Sequence, residues 1–196
     1  MEVLFDKAQH QYRVGGIVYP SVTQILKAAG LVVGYDRIDP AYAIKGTAVH
    51  SATEFSDLGT LDESTVDPEI RPHLAAWREF RALTKIVFGS IERRFGSALM
   101  YAGTVDRVVS DFGGKKGVLD IKSGRPAEWH KIQTAGYATG IYGDSGRSVG
   151  RWAIYLSGEG RFRVEEHTDP ADFLVWQAAL TVARWKSRNG IKEGGL

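Results

Sequence analysis

Asp106 and Asp120 each stand inside an otherwise apolar run, in GTVDRVV and GVLDIKSG. In the second run Val118, Leu119 and Ile121 read as a buried strand interrupted by Asp120 and, two residues on, by Lys122. Alternate strand residues share a face, so the acid and the amine point the same way. Alone, the Asp-x-Lys triplet fits a charge pair on a water-facing edge strand, since roughly one such triplet arises by chance in a chain this long. Asp106 changes the balance. Two carboxylates on neighbouring strands repel each other and lose hydration, so burying them without a counter-charge is unfavourable. A divalent cation removes both difficulties, and hard oxygen donors suit Mg2+ or Mn2+, which keep several waters and accept phosphate oxygens. One of those waters can become the nucleophile toward a phosphodiester. Lys122 is placed to orient or deprotonate that water, or to stabilise charge on the phosphorane.

The elements that must position these groups follow from the patterning. Residues 1–20 read as a small β-hairpin, LFDKAQHQYRV against GIVYP, with Gly15-Gly16 supplying the positive φ angles of a tight turn. Ser21 is the expected N-cap of a short helix ending near Gly30. Apolar positions at helical spacing, Tyr42, Ala43, Val49 and Phe55, predict a helix from Pro40 to about Leu58. Pro68 opens another through about Leu83, with Leu74, Trp77, Phe80 and Leu83 inward. Three strand-like runs follow, KIVFGSIERRFG, LMYAGTVDRVVSDF and KGVLDIKSG, the last two joined by a turn at FGGKKG whose Lys115 and Lys116 read as solvated. A helix over about 127–142, the strands RWAIYLS and RFRVEEH around Gly158-Glu159-Gly160, and a helix over about 170–188 complete the chain. The last helix should bury Phe173, Trp176, Leu180 and Ala183, and the tail should fray. This order predicts an α/β (α+β) fold with a central mixed β-sheet flanked by helices.

Composition narrows the chemistry. The chain has 196 residues, 43% hydrophobic and 24% charged, a length that suits one domain with a full core. It contains no cysteine, which excludes disulfides, cysteine-ligated zinc and iron–sulfur clusters. No run approaches the ~18 apolar residues of a membrane span, and the N-terminus lacks the apolar stretch of a signal peptide. No membrane partner and a cytoplasmic location are expected. The formal net charge is only +2, so a nucleic-acid partner would have to meet locally clustered basic groups.

GTVDRVV, then GVLDIKSG, then Gln133 and Tyr137 in KIQTAGYATG, resemble the motifs of the PD-(D/E)xK nuclease superfamily, and more narrowly its RecB-like, phage-type exonuclease branch. That branch carries a Gly-x-x-x-His motif on an upstream helix, matched here by Gly46 and His50 in GTAVHSATE. The opening HQYRVGGIVYPSVTQIL is also similar to phage members, so the resemblance spans roughly residues 8–160. It implies a restriction-endonuclease-like core over 41–188, with residues 1–40 as a hairpin and helix appendage and 189–196 as tail, in a stand-alone nuclease domain. It further implies that His50, Asp106, Asp120 and the main-chain carbonyl of Ile121 hold the metal and that Lys122 assists the attacking water. Gln133 and Tyr137 would position Lys122 or the phosphate, and Glu54, one turn beyond His50, would orient it. Val105 stands where the nominal motif has Pro, and Asp120 where many members have Glu; both departures are ordinary in this branch.

Further candidates have two readings each. Glu92 in SIERR is another metal-facing carboxylate, as an acid there is in several relatives, or a surface salt bridge to Arg93 or Arg94. The Ser123-Gly124 turn could bring main-chain amides to a phosphate. Arg107, Arg125, His130 and Lys131 could hold the phosphate backbone, and Trp129 either stacks on a frayed base or caps the core. The expected activity is a Mg2+- or Mn2+-dependent deoxyribonuclease, an exonuclease of phage or prophage DNA recombination or processing. Its expected partners are single- or double-stranded DNA and a single-strand annealing or binding protein. The alternatives are a structure-specific or nicking endonuclease on the same core, and a non-catalytic DNA-binding module.

Overall fold

A computed structural model describes residues 2–32 and 40–191; of the expected tail, 189–196, residues 192–196 lie outside them. The sheet that carries both aspartates has five strands: β4 (Val87–Gly96), β5 (Ala102–Phe112), β6 (Lys115–Lys122), β7 (Gly150–Leu156) and β8 (Phe162–Glu166), in that spatial order. The three strands that precede them in the chain form a separate sheet. The β6–β7 pair is parallel and all its neighbours are antiparallel. A parallel pair needs a long crossover, here helix α4 (Trp129–Tyr142). The mixed sheet is therefore as the patterning predicts. Strand β6 is its centre, which rules out the edge-strand reading of Asp120 and Lys122.

Helices cover both faces, so the central strands are apolar on both sides. Val118 joins a cluster formed with α1 (Val22–Ala28), α4 and α5 (Ala171–Arg188), around Trp176, Tyr101 and Ile132. Leu119 and Ile121 join the opposite cluster, with α2 (Pro40–Leu58) and α3 (Arg71–Thr84), around Trp77 and Phe80. By alternation Asp120 and Lys122 belong to the α4 side. Gly117 is required where β6 meets β7: an added Cβ would lie 1.9 Å from the Gly150 carbonyl oxygen.

The N-terminal segment departs from a single hairpin. LFDKAQHQYRV holds two strands, β1 (Val3–Asp6) and β2 (Gln11–Val14), which with β3 (Ile17–Tyr19) make a three-stranded antiparallel sheet. Asp6 makes the extra turn, its Oδ1 accepting from the Ala8 and Gln9 amides at 2.9 and 3.1 Å. The Gly15-Gly16 turn forms as expected, at φ +56° and +83°. Ser21 caps α1 through a reciprocal box, its Oγ accepting from Gln24 N and its N donating to Gln24 Oε1. Ser21→Ala is expected to lower the unfolding free energy by about 1 kcal/mol, read by urea denaturation.

Four apolar positions assigned to helix stripes stay in solvent: Tyr42, Ala43 and Phe55 on α2, and Leu83 at the end of α3. Val49, Leu74, Trp77 and Phe80 are buried as the stripes require. Among the described residues no helix is long and apolar enough to cross a membrane.

Candidate metal centre

Strand register places three carboxylates in one row. Arg107↔Leu119 is the last pairing across β5–β6, and Asp106 and Asp120 are the next residues on the two strands, close enough for their charges to act on each other. Ile91↔Arg107 and Arg93↔Val105 flank the same position across β4–β5, so Glu92 lies opposite Asp106. Glu92 has φ +48°, a left-handed conformation unfavourable for a non-glycine residue and characteristic of functional sites. Strand β4 thus contributes a carboxylate to the row. The surface salt-bridge reading of Glu92 does not hold, because its recorded ion pair is to the buried Arg107 and not to Arg93 or Arg94.

Helix α2 brings His50 to this row, Nδ1 lying 3.3 Å from Asp106 Oδ1. Asp106 Oδ2 accepts from the Ile121 amide at 2.6 Å, which fixes the carboxylate against β6. His50, Glu92 and Asp106 each offer a ligand atom within 4.8 Å of one another. One imidazole and two carboxylates are a donor set suited to a divalent cation. Asp120 is placed differently: its Oδ2 lies 2.6 Å from Lys122 Nζ. Lys122 also donates to Gln133 Oε1 at 2.7 Å, and Gln133 Nε2 donates to Tyr137 OH at 3.1 Å and to Thr23 Oγ1 at 3.2 Å. Two turns of α4 therefore hold the amine through an amide, and Thr23, which the sequence reading missed, anchors that amide from α1. The Trp129 ring centroid is 5.3 Å from Lys122 Nζ.

Charge at the row is compensated by protein groups. Burial would push Asp106 up, but His50 and the Ile121 amide hold it below the ordinary carboxylate value. Burial would push His50 down, but Asp106 outweighs it and raises the imidazole. Burial, then the Asp106 charge, pushes Glu92 up to about 8. Burial also pushes Asp120 up, to about 6, against the pull of Lys122. Crowded acids whose pKa values are driven apart or upward mark a site built for a cation or for proton chemistry.

Several expected substrate contacts lie elsewhere. Arg107 is fully buried, so it does not hold a phosphate backbone: Nε lies 2.7 Å from Asp57 Oδ2, and Nη1 donates to the Asp106 carbonyl at 2.7 Å. Its neighbour Asp106 faces the row, and adjacent strand residues point to opposite faces. Asp57 is a residue the sequence reading missed; it stands two turns beyond His50 on α2, and that i, i+7 spacing was the available signal. His130 is likewise buried and no backbone contact. Its Nδ1 accepts from the Ala127 amide and meets Tyr155 OH at 2.9 Å. Burial holds its pKa down to about 3, so it carries no charge at neutral pH. Glu54 makes no hydrogen bond to His50 among the described residues; its charge acts on Glu92.

Ser123 and Arg125 remain accessible at the end of β6, and Gly46 packs beside Ser123 Oγ. Lys131 pairs with Glu128 at 2.7 Å and borders an open cleft of about 610 Å3 with Arg163 and Glu165. That cleft is lined by none of His50, Glu92, Asp106 or Asp120.

No family model matches the chain, and no curated protein matches it. A solved structure, "Crystal structure of SSO0001", is similar over 73% of this chain and 70% of its own, at 18% identity and a TM-score of 0.39. A likeness at that level carries no argument here.

Proposed function

We propose that this chain is a Mg2+- or Mn2+-dependent deoxyribonuclease, an exonuclease of the phage DNA-processing kind that its motifs resemble. One observation carries the reading. A row of Glu92, Asp106 and Asp120, faced by His50, ends on an amine held between an acid and an amide.

His50, Glu92 and Asp106 would hold the cation, with Asp120 and the Ile121 carbonyl at its β6 side. When bound, it would polarise a phosphate oxygen and make a water more acidic. The chain's own residues supply the remainder. An ammonium has three N–H donors, and Asp120 and Gln133 engage Lys122 on two sides, leaving one N–H for the attacking water or the phosphoryl oxygen. Gln133 is held by Thr23 and Tyr137, so the amine is oriented before substrate arrives, which is where most of the benefit of such groups lies. Attack by water in line with the leaving oxygen needs no covalent enzyme intermediate. Arg125, which is exposed, and the half-buried Ser123 and Lys131 are the groups left to meet the DNA backbone, and contacts of that kind carry no base specificity.

Digestion of end-labelled linear DNA and of covalently closed circles, each with Mn2+ and with chelator, tests the reading. Metal-dependent release of nucleotides from linear DNA, with circles left intact, is the expected result. Rapid cutting of circles would replace the exonuclease by an endonuclease on the same site. Salt-dependent binding without any cleavage would replace it by a non-catalytic binding module.

A further inference from the structure

Arg107 is a fully buried cation on the far side of the sheet from the amine, yet it reaches two members of the acid row. We propose that Arg107, anchored by Asp57, is a positioning residue that holds Glu92 as a metal-facing carboxylate; the inference rests on the metal-centre reading above. Nη1 donates to the main-chain carbonyl of Asp106 at 2.7 Å and lies 3.4 Å from Glu92 Oε1. The guanidinium thus keys on the backbone of one cluster member and on the carboxylate of another. A planar five-donor fork can do this, whereas an ammonium cannot span both with fixed geometry.

The fork is held from behind. Asp57 Oδ2 lies 2.7 Å from Arg107 Nε, while Asp57 Oδ1 accepts from Trp77 Nε1 at 3.2 Å and lies 3.4 Å from Arg81 Nε. The Trp77 ring centroid is 5.2 Å from the guanidinium carbon. Helices α2 and α3 together therefore lock the arginine on the face of the sheet that carries Trp77. Its Nη2 is buried with no partner among the described residues, so the fork retains an unused donor. Glu92 needs such a partner. Its backbone sits at φ +48° in the middle of a strand, a conformation that persists only where the surroundings over-determine it. One Glu92 oxygen is directed at Arg107, and a Glu92 carboxylate oxygen lies within 4.8 Å of ligand atoms of Asp106 and His50. Partners of this kind orient ligating carboxylates, and losing one typically weakens metal binding 10- to 100-fold.

Mn2+ titration of the purified, DNA-free protein by calorimetry tests the proposal on wild type, Arg107→Met, Glu92→Gln and the double variant. Arg107→Met is expected to weaken Mn2+ binding about 10- to 100-fold, with Arg107→Lys recovering only part of it. In the Glu92→Gln background the Arg107 effect should vanish, because residues acting through one another are not additive. Should Arg107→Met fail to fold around a stranded Asp57, the same four proteins carry Asp57→Asn, which removes that charge and keeps an oxygen for Trp77. An Arg107 effect of equal size in both backgrounds, or none in either, overturns the inference. Mn2+ binding that is lost in His50→Ala but indifferent to Arg107 overturns the inference alone. Wild type that binds no Mn2+ overturns the metal centre and the inference with it.

Discussion

A Lys122→Met protein is expected to cleave DNA about 10²–10⁴-fold more slowly than wild type, with unchanged far-ultraviolet circular dichroism and DNA affinity. Lys122 Nζ sits 2.6 Å from Asp120 Oδ2 and 2.7 Å from Gln133 Oε1, so the amine is held at the row without contributing a large apolar area. Methionine keeps the stem that packs near the Trp129 ring and removes only the charged tip. Asp120 then loses its ion pair, and its acid, already pushed up to about 6, accommodates the loss by holding a proton more tightly. Lys122→Arg separates two roles. Arginine retains the positive charge but cannot accept and release a proton near neutrality. Activity recovered by arginine assigns Lys122 to charge stabilisation, and activity lost in both variants assigns it to proton transfer. Wild-type rates for Lys122→Met under saturating Mn2+ would remove Lys122 from the mechanism altogether.

Asp106, Asp120 and Lys122 were legible because charges inside apolar strand runs need an energetic reason, and period-two alternation put two of them on one face. The helix of His50 was legible from its ends, Pro40 and Leu58, which the structure reproduces. Glu92 was not. Its place in the row depends on the β4–β5 register, a non-local pairing that no window of sequence contains, and on a left-handed residue in mid-strand. Arg107 failed for another reason. Arginines are mostly exposed, and that prior outweighed the simpler fact that the neighbour of an inward Asp106 must face the opposite side. The buried partner that makes its position tolerable, Asp57, lies 50 residues away in the chain. Tyr42, Phe55 and Leu83 show the reverse error, since helical spacing identifies an apolar stripe but not whether another element covers it.

Between pH 6.5 and about 8 Glu92 is expected to make the metal-free protein less stable as pH rises, and Glu92→Gln is expected to remove that share of the loss. Burial, with the Asp106 charge second, pushes Glu92 from its ordinary 4.5 up to about 8. Between those values the folded protein keeps a proton on Glu92 that the unfolded chain has already released. The folded state therefore binds more protons, and the unfolding free energy falls with pH across that window and levels off above it. At about 1.4 kcal/mol per pH unit the ceiling is on the order of 5 kcal/mol, and the part of Glu92 that solvent still reaches reduces it. Glutamine keeps the shape and an acceptor for Arg107 without the charge, so above pH 8 the metal-free variant should melt several degrees higher than wild type, at about 2–4 °C per kcal/mol. Mn2+ should narrow the gap. It offsets the crowded carboxylates only where they are ionised, and at a hundredfold excess over its dissociation constant it adds about 2.7 kcal/mol to wild type. Thermal melts of both proteins at pH 5.5 and 8.5, with Mn2+ and with chelator, check all four corners. A wild type whose metal-free stability is flat between those pH values, or a variant that gains as much from Mn2+ as wild type does, would show that Glu92 is not a strained ligand of the site. The expected pattern means that the fold holds its acid row at a cost in stability, and that the cation offsets it.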